Sequence, residues 1–251
     1  MKNKQNDFKY DTTPVFHKTN SESAIIVLHG YLGSSQSMIY INNALIKKKY
    51  TIMSPNLLGH GTVYSDLHNI NYVEWIKQVE DIYLNLRKEY KKIFIIGFSS
   101  GGTLALYLAE NYNNINGIVT INSPLIYPLS ILFTPYFKNI IKYFPSLKND
   151  IKDPDSIGEY LYEKVSVKNS HELLKLSIAV RKNISKCKTP ILIFKSVIDH
   201  RVSFKNGKYI YNKVSSLKKE LIYLKNSYHA AMLDYDKELI IKKVLDFIIA
   251  N

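Results

Sequence analysis

Short apolar runs alternate with longer amphipathic stretches along most of the chain. The short runs are rich in β-branched residues and are bounded by turn-forming residues, which is typical of buried strands. They predict core strands at 24–28, 50–54, 92–96, 117–122, 190–196 and 220–224, and a weaker pattern predicts an edge strand near 13–16. Apolar residues at helical spacing predict helices at 36–49, 72–90, 103–110, 203–214 and 237–249. The alternation predicts an α/β fold with a mostly parallel central sheet and helices on both faces.

The regular alternation stops after Pro124. The segment 125–185 contains four prolines and several aromatic residues, and helical spacing recurs only at 156–165 and 171–183. Because about 60 residues is longer than an ordinary connection, we predict a cap inserted into the core. The core would then comprise 1–124 and 186–251. Many residues of the insertion are apolar, which suggests an apolar pocket beneath it: Leu125, Ile126, Leu129, Ile131, Leu132, Phe133, Phe137 and Phe144.

The sequence Gly97-Phe98-Ser99-Ser100-Gly101 fits the G-x-S-x-G pattern of a nucleophile elbow. It lies between a predicted buried strand and a predicted helix, which is the context that this motif requires. The sharp turn forces the serine into a strained backbone conformation, and we expect a positive φ at Ser99. The glycines lack a Cβ, so the strand and the helix can approach closely. We therefore predict Ser99 as a nucleophile.

A serine hydroxyl needs a general base, and the base needs an acid that holds its tautomer. With this elbow the chain order is serine, acid, histidine. Asp199 follows the strand at 190–196, and His229 follows the last predicted strand, so these two complete the candidate triad. His171 and His200 also follow the serine, but one lies in the insertion and the other adjoins the acid. Asp234 and Asp236 are expected to begin the final helix, where negative charge is favourable.

Two backbone N–H groups are predicted to form an oxyanion hole. One belongs to Ser100, directly after the nucleophile, and the other to Tyr31, in the loop after the first core strand. Gly30 lets that loop turn tightly. His29 and His60 are interpreted as structural hydrogen-bonding residues.

Composition and charge narrow the classes of partner. The net charge is +13, but the lysines are spread through every segment and no nucleic-acid-binding motif accompanies them, so no nucleic-acid partner is expected. The single cysteine, Cys187, excludes an internal disulfide. No metal-ligand cluster or phosphate-binding loop occurs, so no cofactor and no metal are expected. No apolar run is long enough to span a membrane and the N-terminus is polar, so we expect a cytoplasmic protein. Transient contact with a membrane surface is compatible with this expectation. The sequence predicts no oligomeric state.

From Ala24 onward, the chain resembles α/β-hydrolases of the bacterial carboxylesterase and monoacylglycerol lipase group. The resemblance rests on the elbow, on the segments around Asp199 and His229, and on three further motifs: Leu28-His29-Gly30-Tyr31-Leu32-Gly33-Ser34, Gly59-His60-Gly61 and Gly117-Ile118-Val119-Thr120. It implies the triad Ser99, Asp199 and His229, an oxyanion donor at Tyr31, and a small cap over an acyl pocket. Ser100 and Ala230 differ from the residues common at these positions in the group. The cap aligns poorly with the group, so the resemblance does not identify a substrate.

These observations predict a serine hydrolase that cleaves carboxylic esters through an acyl-enzyme. Short- to medium-chain acyl esters or monoacylglycerols would suit the apolar insertion. An alternative enzyme activity is that of a thioesterase or a lysophospholipase, which would use the same triad. An alternative that is not an enzyme is a binding protein of the same fold, although such proteins usually lose a triad member.

Overall fold

The computed structural model describes residues 11–127, 141–146 and 148–251. In chain order the strands are β1 Val15–His17, β2 Ser23–Leu28, β3 Thr51–Ser54, β4 Lys92–Phe98, β5 Gly117–Ile121, β6 Tyr143–Pro145, β7 Lys164–Ser166, β8 Ile191–Ser196 and β9 Lys219–Leu224. The α-helices are α1 Ile39–Lys47, α2 Tyr72–Glu89, α3 Ser100–Asn111, α4 Val167–Asn183, α5 Lys205–Lys213 and α6 Lys237–Ala250. Short 3₁₀ turns cover Ser35–Met38, Asp66–Asn69, Ile184–Lys186 and Ala231–Leu233.

Seven strands form one twisted sheet in the order β1-β3-β2-β4-β5-β8-β9. Only β1 runs antiparallel to its neighbour, and the other pairs are parallel. Each predicted core strand is present, with ends that shift by a few residues. β4 lies in the middle of the sheet, so the candidate nucleophile at its carboxyl end is surrounded by neighbouring strand ends.

Side chains alternate between two apolar cores, one on each face of the sheet. Ile26 and Ile95 point into a core shared with α2, α3, α4 and α5, whereas Ile25 and Phe94 point into a core shared with α1 and α6. Burial on both faces explains why the strands read as continuous apolar runs. The predicted α/β architecture, with helices on both faces, is confirmed.

The prediction of a helix over 156–165 is wrong. This stretch is irregular and ends in β7, which pairs antiparallel with β6. Its backbone N–H groups bond to distant side chains instead of to the preceding turn: Glu159 N–H donates to Asn149 Oδ1 at 3.0 Å and Tyr160 N–H donates to Gln36 Oε1 at 3.2 Å. Gly158, with φ 77°, also interrupts helical geometry.

The second helix predicted in the insertion is present as α4, which begins earlier than expected. Ser166 caps it by accepting a hydrogen bond from Asn169 N–H at 3.2 Å. Leu176 and Val180 of α4 pack into the same apolar core as α2 and α3. The boundary between core and cap at 125–185 stays a prediction. The apolar residues Leu129, Ile131, Leu132, Phe133 and Phe137 lie outside the described residues.

Among the helices of the described ranges, none combines the length and apolar character needed to cross a membrane.

Candidate active site

Ser99 occupies the sharp turn between β4 and α3. Its backbone has φ 50° and ψ −120°, so the predicted positive φ is confirmed. Ser99 N–H donates to the Ile121 carbonyl of β5 at 2.8 Å, which ties the turn to the adjacent strand. A Cβ at Gly97 would lie 2.3 Å from the Gly101 carbonyl oxygen. A side chain at Gly97 would therefore force the strand and the helix apart, and the strained turn depends on glycine there.

The structure brings Ser99, His229 and Asp199 into one chain of hydrogen-bond contacts. His229 Nε2 lies 3.2 Å from Ser99 Oγ, and His229 Nδ1 lies 3.0 Å from Asp199 Oδ2. With the ring proton on Nδ1, the imidazole donates to the carboxylate and presents Nε2 as an acceptor to the serine hydroxyl. Ser99 and His229 are each 9% exposed, so the pair is accessible but largely shielded from water.

The side chain of Asp199 is fully buried and is held as an anion by donors on both oxygens. Its Oδ1 accepts backbone N–H bonds from Arg201 at 2.9 Å and Val202 at 2.8 Å. Its Oδ2 accepts from His229 and also forms an ion pair with Lys195 Nζ. Burial alone would raise the pKa of Asp199, but His229 and Lys195 outweigh it and hold that pKa well below its usual range.

The predicted oxyanion donors flank Ser99. A Cβ at Gly30 would lie 3.1 Å from Ser99 Cβ, so the loop that continues into Tyr31 passes directly beside the serine. Ser100 is the first residue of α3, where the N–H groups of the first turn point away from the helix without intrahelical acceptors. Both N–H groups therefore belong to segments that border the serine oxygen.

His29 and His60 are buried behind this loop, in agreement with a structural role. His29 Nε2 accepts from Leu57 N–H at 2.9 Å, and its Nδ1 donates to the Gly30 carbonyl at 2.7 Å. Burial lowers the pKa of His29 to about 4 and that of His60 to about 3, so both are neutral. His29 thus fixes the loop that carries Tyr31.

Sequence reasoning missed Asn122 and Lys195, which organise the acid from within the sheet. Asn122 follows β5 with φ 50° and is fully buried. Its Oδ1 accepts from Ser196 N–H at 2.8 Å and Lys195 Nζ at 3.1 Å, while its Nδ2 donates to the His229 carbonyl at 2.7 Å. A lysine inside the apolar run of β8, four residues before the acid, was the available signal for this network.

Two aspartates join the histidine loop to the segment predicted as an insertion. Asp150 Oδ2 accepts from the backbone N–H of His229 at 3.3 Å and of His200 at 3.1 Å. Asp234 accepts four backbone N–H bonds, of 2.8 to 3.0 Å, from residues on both sides of the junction: Lys152, Asp153, Tyr228 and Tyr235. The expectation that Asp234 begins the last helix is therefore wrong.

Asp236 does directly precede α6, but its carboxylate does not cap that helix. Instead, its Oδ2 accepts from Asn226 N–H at 2.9 Å and its Oδ1 accepts from Asn226 Nδ2 at 3.2 Å. Asp236 thus closes the other end of the loop that holds His229.

His171 and His200 do not take the place of the base in this arrangement. His171 lies in α4, and His200 Nδ1 is bound to Asp150 Oδ1 at 2.6 Å. The side chain of His200 is 58% exposed, whereas Ser99 contacts His229.

A cavity of about 350 Å³ opens above Ser99 and has walls of two kinds. Among the described residues, one wall is apolar or aromatic: Tyr127, Phe144, Leu161, Val165 and Leu173. The other wall is polar: Asp150, Glu159, His200 and Arg201. Burial raises the pKa of Glu159, although its hydrogen bond with Ser37 and its interactions with His229 and Arg201 oppose the shift. The polar wall therefore adjoins the histidine.

The mostly parallel sheet, with an elbow serine at the end of its central strand, defines an α/β-hydrolase. Residues 19–236 match the model of the Hydrolase_4 family, described as serine aminopeptidase S33. The chain belongs to this family, and within it to the group of carboxylesterases and monoacylglycerol lipases. The resemblance inferred from the motifs is confirmed.

Two curated relatives span nearly the whole chain. The thermostable monoacylglycerol lipase of Bacillus sp. strain H-257 is 36% identical over 232 residues, which cover 92% of each protein. The carboxylesterase of Bacillus subtilis strain 168 is 27% identical over 245 residues, which cover 96% of this chain and 98% of the relative.

Solved structures show the same fold. One from the work on the metagenome-derived lipolytic enzymes LipS and LipT has a TM-score of 0.91 and 30% identity, covering 96% of this chain and 98% of the other. The monoacylglycerol lipase of Paleococcus ferrophilus has a TM-score of 0.79 at 15% identity, covering 95% and 98%, and supports the fold alone.

Proposed function

We propose that this protein cleaves esters that join a short- to medium-chain acyl group to a small polar alcohol, with monoacylglycerols as the leading class. The protein is an ester-hydrolysing serine hydrolase, like the relatives that it matches. The observation that supports this substrate class is the cavity, lined partly by apolar and partly by polar residues, around the contact of 3.2 Å between Ser99 and His229.

We assign the chemical roles as follows. Ser99 Oγ attacks the ester carbonyl while His229 Nε2 accepts its proton, and Asp199 stabilises the imidazolium that forms. The carbonyl oxygen becomes an oxyanion, which the N–H groups of Tyr31 and Ser100 stabilise. The intermediate then collapses: the bond from the acyl carbon to the alkoxide oxygen breaks, His229 gives its proton to that oxygen and the alcohol leaves. The acyl group stays on Ser99 Oγ as an acyl-enzyme. Water, activated by the same histidine, releases the acid.

The path of the proton decides which wall holds which half of the substrate. The departing alcohol takes its proton from His229, so it must lie on the histidine side of the cavity. Asp150 accepts from the backbone N–H of His229, and the backbone N–H of Glu159 donates to Asn149, which adjoins Asp150, so we assign both carboxyl groups to this side. Carboxyl groups there can accept hydrogen bonds from free hydroxyls of a polyol. The apolar wall with Leu161 and Leu173 is then left for the acyl chain.

The setting that we propose is the cytoplasm, with transient contact to membrane surfaces, where acylglycerols reside. A buried free thiol at Cys187 suits a reducing compartment, and a net charge of +13 suits anionic lipid surfaces. Cell fractionation tests the location, and co-sedimentation with vesicles of anionic or neutral lipids tests the contact. Recovery outside the cytoplasm, or no difference between the two vesicle types, would contradict these assignments.

A fluorophosphonate probe together with a substrate panel tests the assignment of the reaction. Ser99→Ala should lose probe labelling and lose on the order of 10⁴-fold or more in kcat. Ser123→Ala, which removes another buried hydroxyl near α3, is the matched control and should be labelled like the wild type. The panel compares monoacylglycerols with ethyl esters, thioesters and lysophospholipids of one acyl chain. A preference for the thioester or the lysophospholipid would replace the proposed substrate class.

A further inference from the structure

Lys195 is a lysine buried in the core beside the candidate triad. It lies in β8, and its side chain is 1% exposed. Gly207 of α5 makes room for its aliphatic stem, because a Cβ there would come within 2.8 Å of Lys195 Cβ. A buried ammonium group is costly unless it is paired and hydrogen-bonded. Its partners therefore indicate what the lysine does.

Both partners of the ammonium group belong to the network that holds the acid. Lys195 Nζ forms an ion pair with Asp199 Oδ2 and donates to Asn122 Oδ1 at 3.1 Å. His229 Nδ1 donates to the same Asp199 Oδ2 at 3.0 Å. One carboxylate oxygen is thus shared between a fixed cation and the ring that becomes a cation during the reaction.

Within the described residues, the other charged or titratable groups near this network lie on the cavity side. Asp150 and Glu159 come from the insertion, and Arg201 and His200 come from the loop after β8; all four line the cavity. Burial lowers the pKa of Lys195 and of Arg201, and the charge of Asp150 opposes both shifts. The charge of Glu159 opposes the shift of Arg201 as well. Lys195 instead reaches Asp199 from within the sheet. Lys195 itself does not line the cavity, so its contact with Asp199 does not run through the space proposed for the substrate.

An isolated carboxylate beside a histidine stabilises the imidazolium and so makes the ring a stronger base. A second cation on the same oxygen offsets part of that field, because two positive charges then compete for one negative charge. We propose that Lys195 is a positioning residue that fixes the Asp199 carboxylate and weakens its stabilisation of protonated His229. The base thereby stays neutral, and the enzyme stays active, at lower pH than with an aspartate–histidine pair alone. This inference rests on the triad roles assigned above.

The pH dependence of kcat/KM tests this role. Lys195→Met keeps an aliphatic stem and removes the charge, and Lys195→Gln also keeps a donor for Asp199. Both should move the midpoint of the acid limb upward by at least about half a pH unit, which is roughly a threefold loss of relative activity on that limb. Lys195→Arg keeps the charge and should retain the wild-type midpoint. If Lys195→Met does not fold, Lys195→Gln carries the same test.

A matched control separates charge from stability. Ile193→Val, in the same strand, removes one buried methylene and leaves every charge in place. It should lower the melting temperature without moving the acid limb. A wild-type midpoint in the uncharged lysine variants, or an equal shift in Ile193→Val, would overturn the inference. His229→Ala distinguishes a failure of the Lys195 proposal from a failure of the proposed triad. If His229→Ala is inactive while the lysine variants show no shift, only the role of Lys195 is overturned. If His229→Ala remains active, the proposed triad itself is overturned.

Discussion

The carboxylate of Asp150, in the insertion, accepts a hydrogen bond from the backbone N–H of His229 at 3.3 Å, and the carbonyl of Asp150 accepts one from Ala230 N–H at 3.1 Å. The predicted insertion thus contacts the main chain of the proposed base directly. The position of the histidine depends on residues that also wall the cavity.

We predict that Asp150→Ala lowers kcat by on the order of tenfold, because the loop that carries His229 loses an anionic acceptor. Asp150→Asn keeps an acceptor for the backbone N–H groups and should retain most of the activity. Steady-state kinetics on one soluble ester measure the effect. Asp155→Ala, an exposed change in the same segment, is the control and should behave like the wild type. Wild-type kcat in Asp150→Ala would show that the insertion does not position the base.

We predict that Glu159→Ala raises KM for a monoacylglycerol by about fivefold, equivalent to the loss of one hydrogen bond of roughly 1 kcal/mol. An ethyl ester of the same acyl chain offers no free hydroxyl, so its KM should change much less. The ratio of the two KM values is the measurement. Leu173→Ala, on the apolar wall, is the counterpart: it should change the preference for acyl length and leave that ratio unchanged. Equal effects of Glu159→Ala on both esters would place the alcohol elsewhere.

The strained turn at Ser99 predicts that replacing this residue with glycine abolishes activity but stabilises the fold relative to alanine. Ser99→Ala and Ser99→Gly should both be inactive, but the glycine variant should be more stable by about 1 kcal/mol, because glycine adopts φ 50° without steric cost. Urea denaturation of the two variants measures the difference. Ser123 lacks a positive φ, so Ser123→Gly should instead be less stable than Ser123→Ala. A glycine variant at 99 that is less stable than alanine would show that the turn stores no strain.

Most of the sheet and the three proposed triad residues could be predicted, because both depend on short-range patterns. Apolar runs such as 92–96 mark buried strands by composition alone. Ser99 is recognised by its glycines, and Asp199 and His229 by their positions after particular strands. Each signal lies within a few residues of the feature that it predicts.

The remaining parts of the site are set by contacts between distant segments. Asn122 and Lys195 meet because β5 and β8 are neighbours in the sheet, which no local pattern reveals. The error at 156–165 has the same origin, since Gln36 and Asn149 supply the acceptors for that backbone. Helical spacing of apolar residues was present there, but hydrogen bonds to other parts of the chain overrode it.

The buried carboxyl group of Glu110 makes the free energy of unfolding depend on pH. This α3 carboxyl is 7% exposed, and within the described residues its Oε1 has no hydrogen-bond partner. Burial raises its pKa from 4.5 to about 9, against a smaller opposing effect of Lys186. Between these values the folded state keeps a proton that the unfolded state has lost. The contribution of Glu110 to the free energy of unfolding therefore falls as pH rises from about 4.5 to about 9.

We predict that Glu110→Gln removes this dependence. The variant should be close to the wild type at pH 4 and more stable at pH 8, by at most about 5 kcal/mol. Urea denaturation at both pH values provides the comparison. Glu163→Gln, a surface substitution, should leave the difference between the two pH values unchanged. A stability gain for Glu110→Gln that is equal at pH 4 and pH 8 would show that the carboxyl does not titrate in this range.

The four backbone bonds of Asp234 have a consequence for recombination between relatives. They join Lys152 and Asp153 to Tyr228 and Tyr235, so a graft that replaces the predicted insertion alone would leave backbone N–H groups of two parental proteins donating to one carboxylate. A chimera that transfers the insertion together with residues 226–236 keeps this junction within one parent. Exchange of substrate preference among such hydrolases is therefore better designed with two crossover pairs than with one.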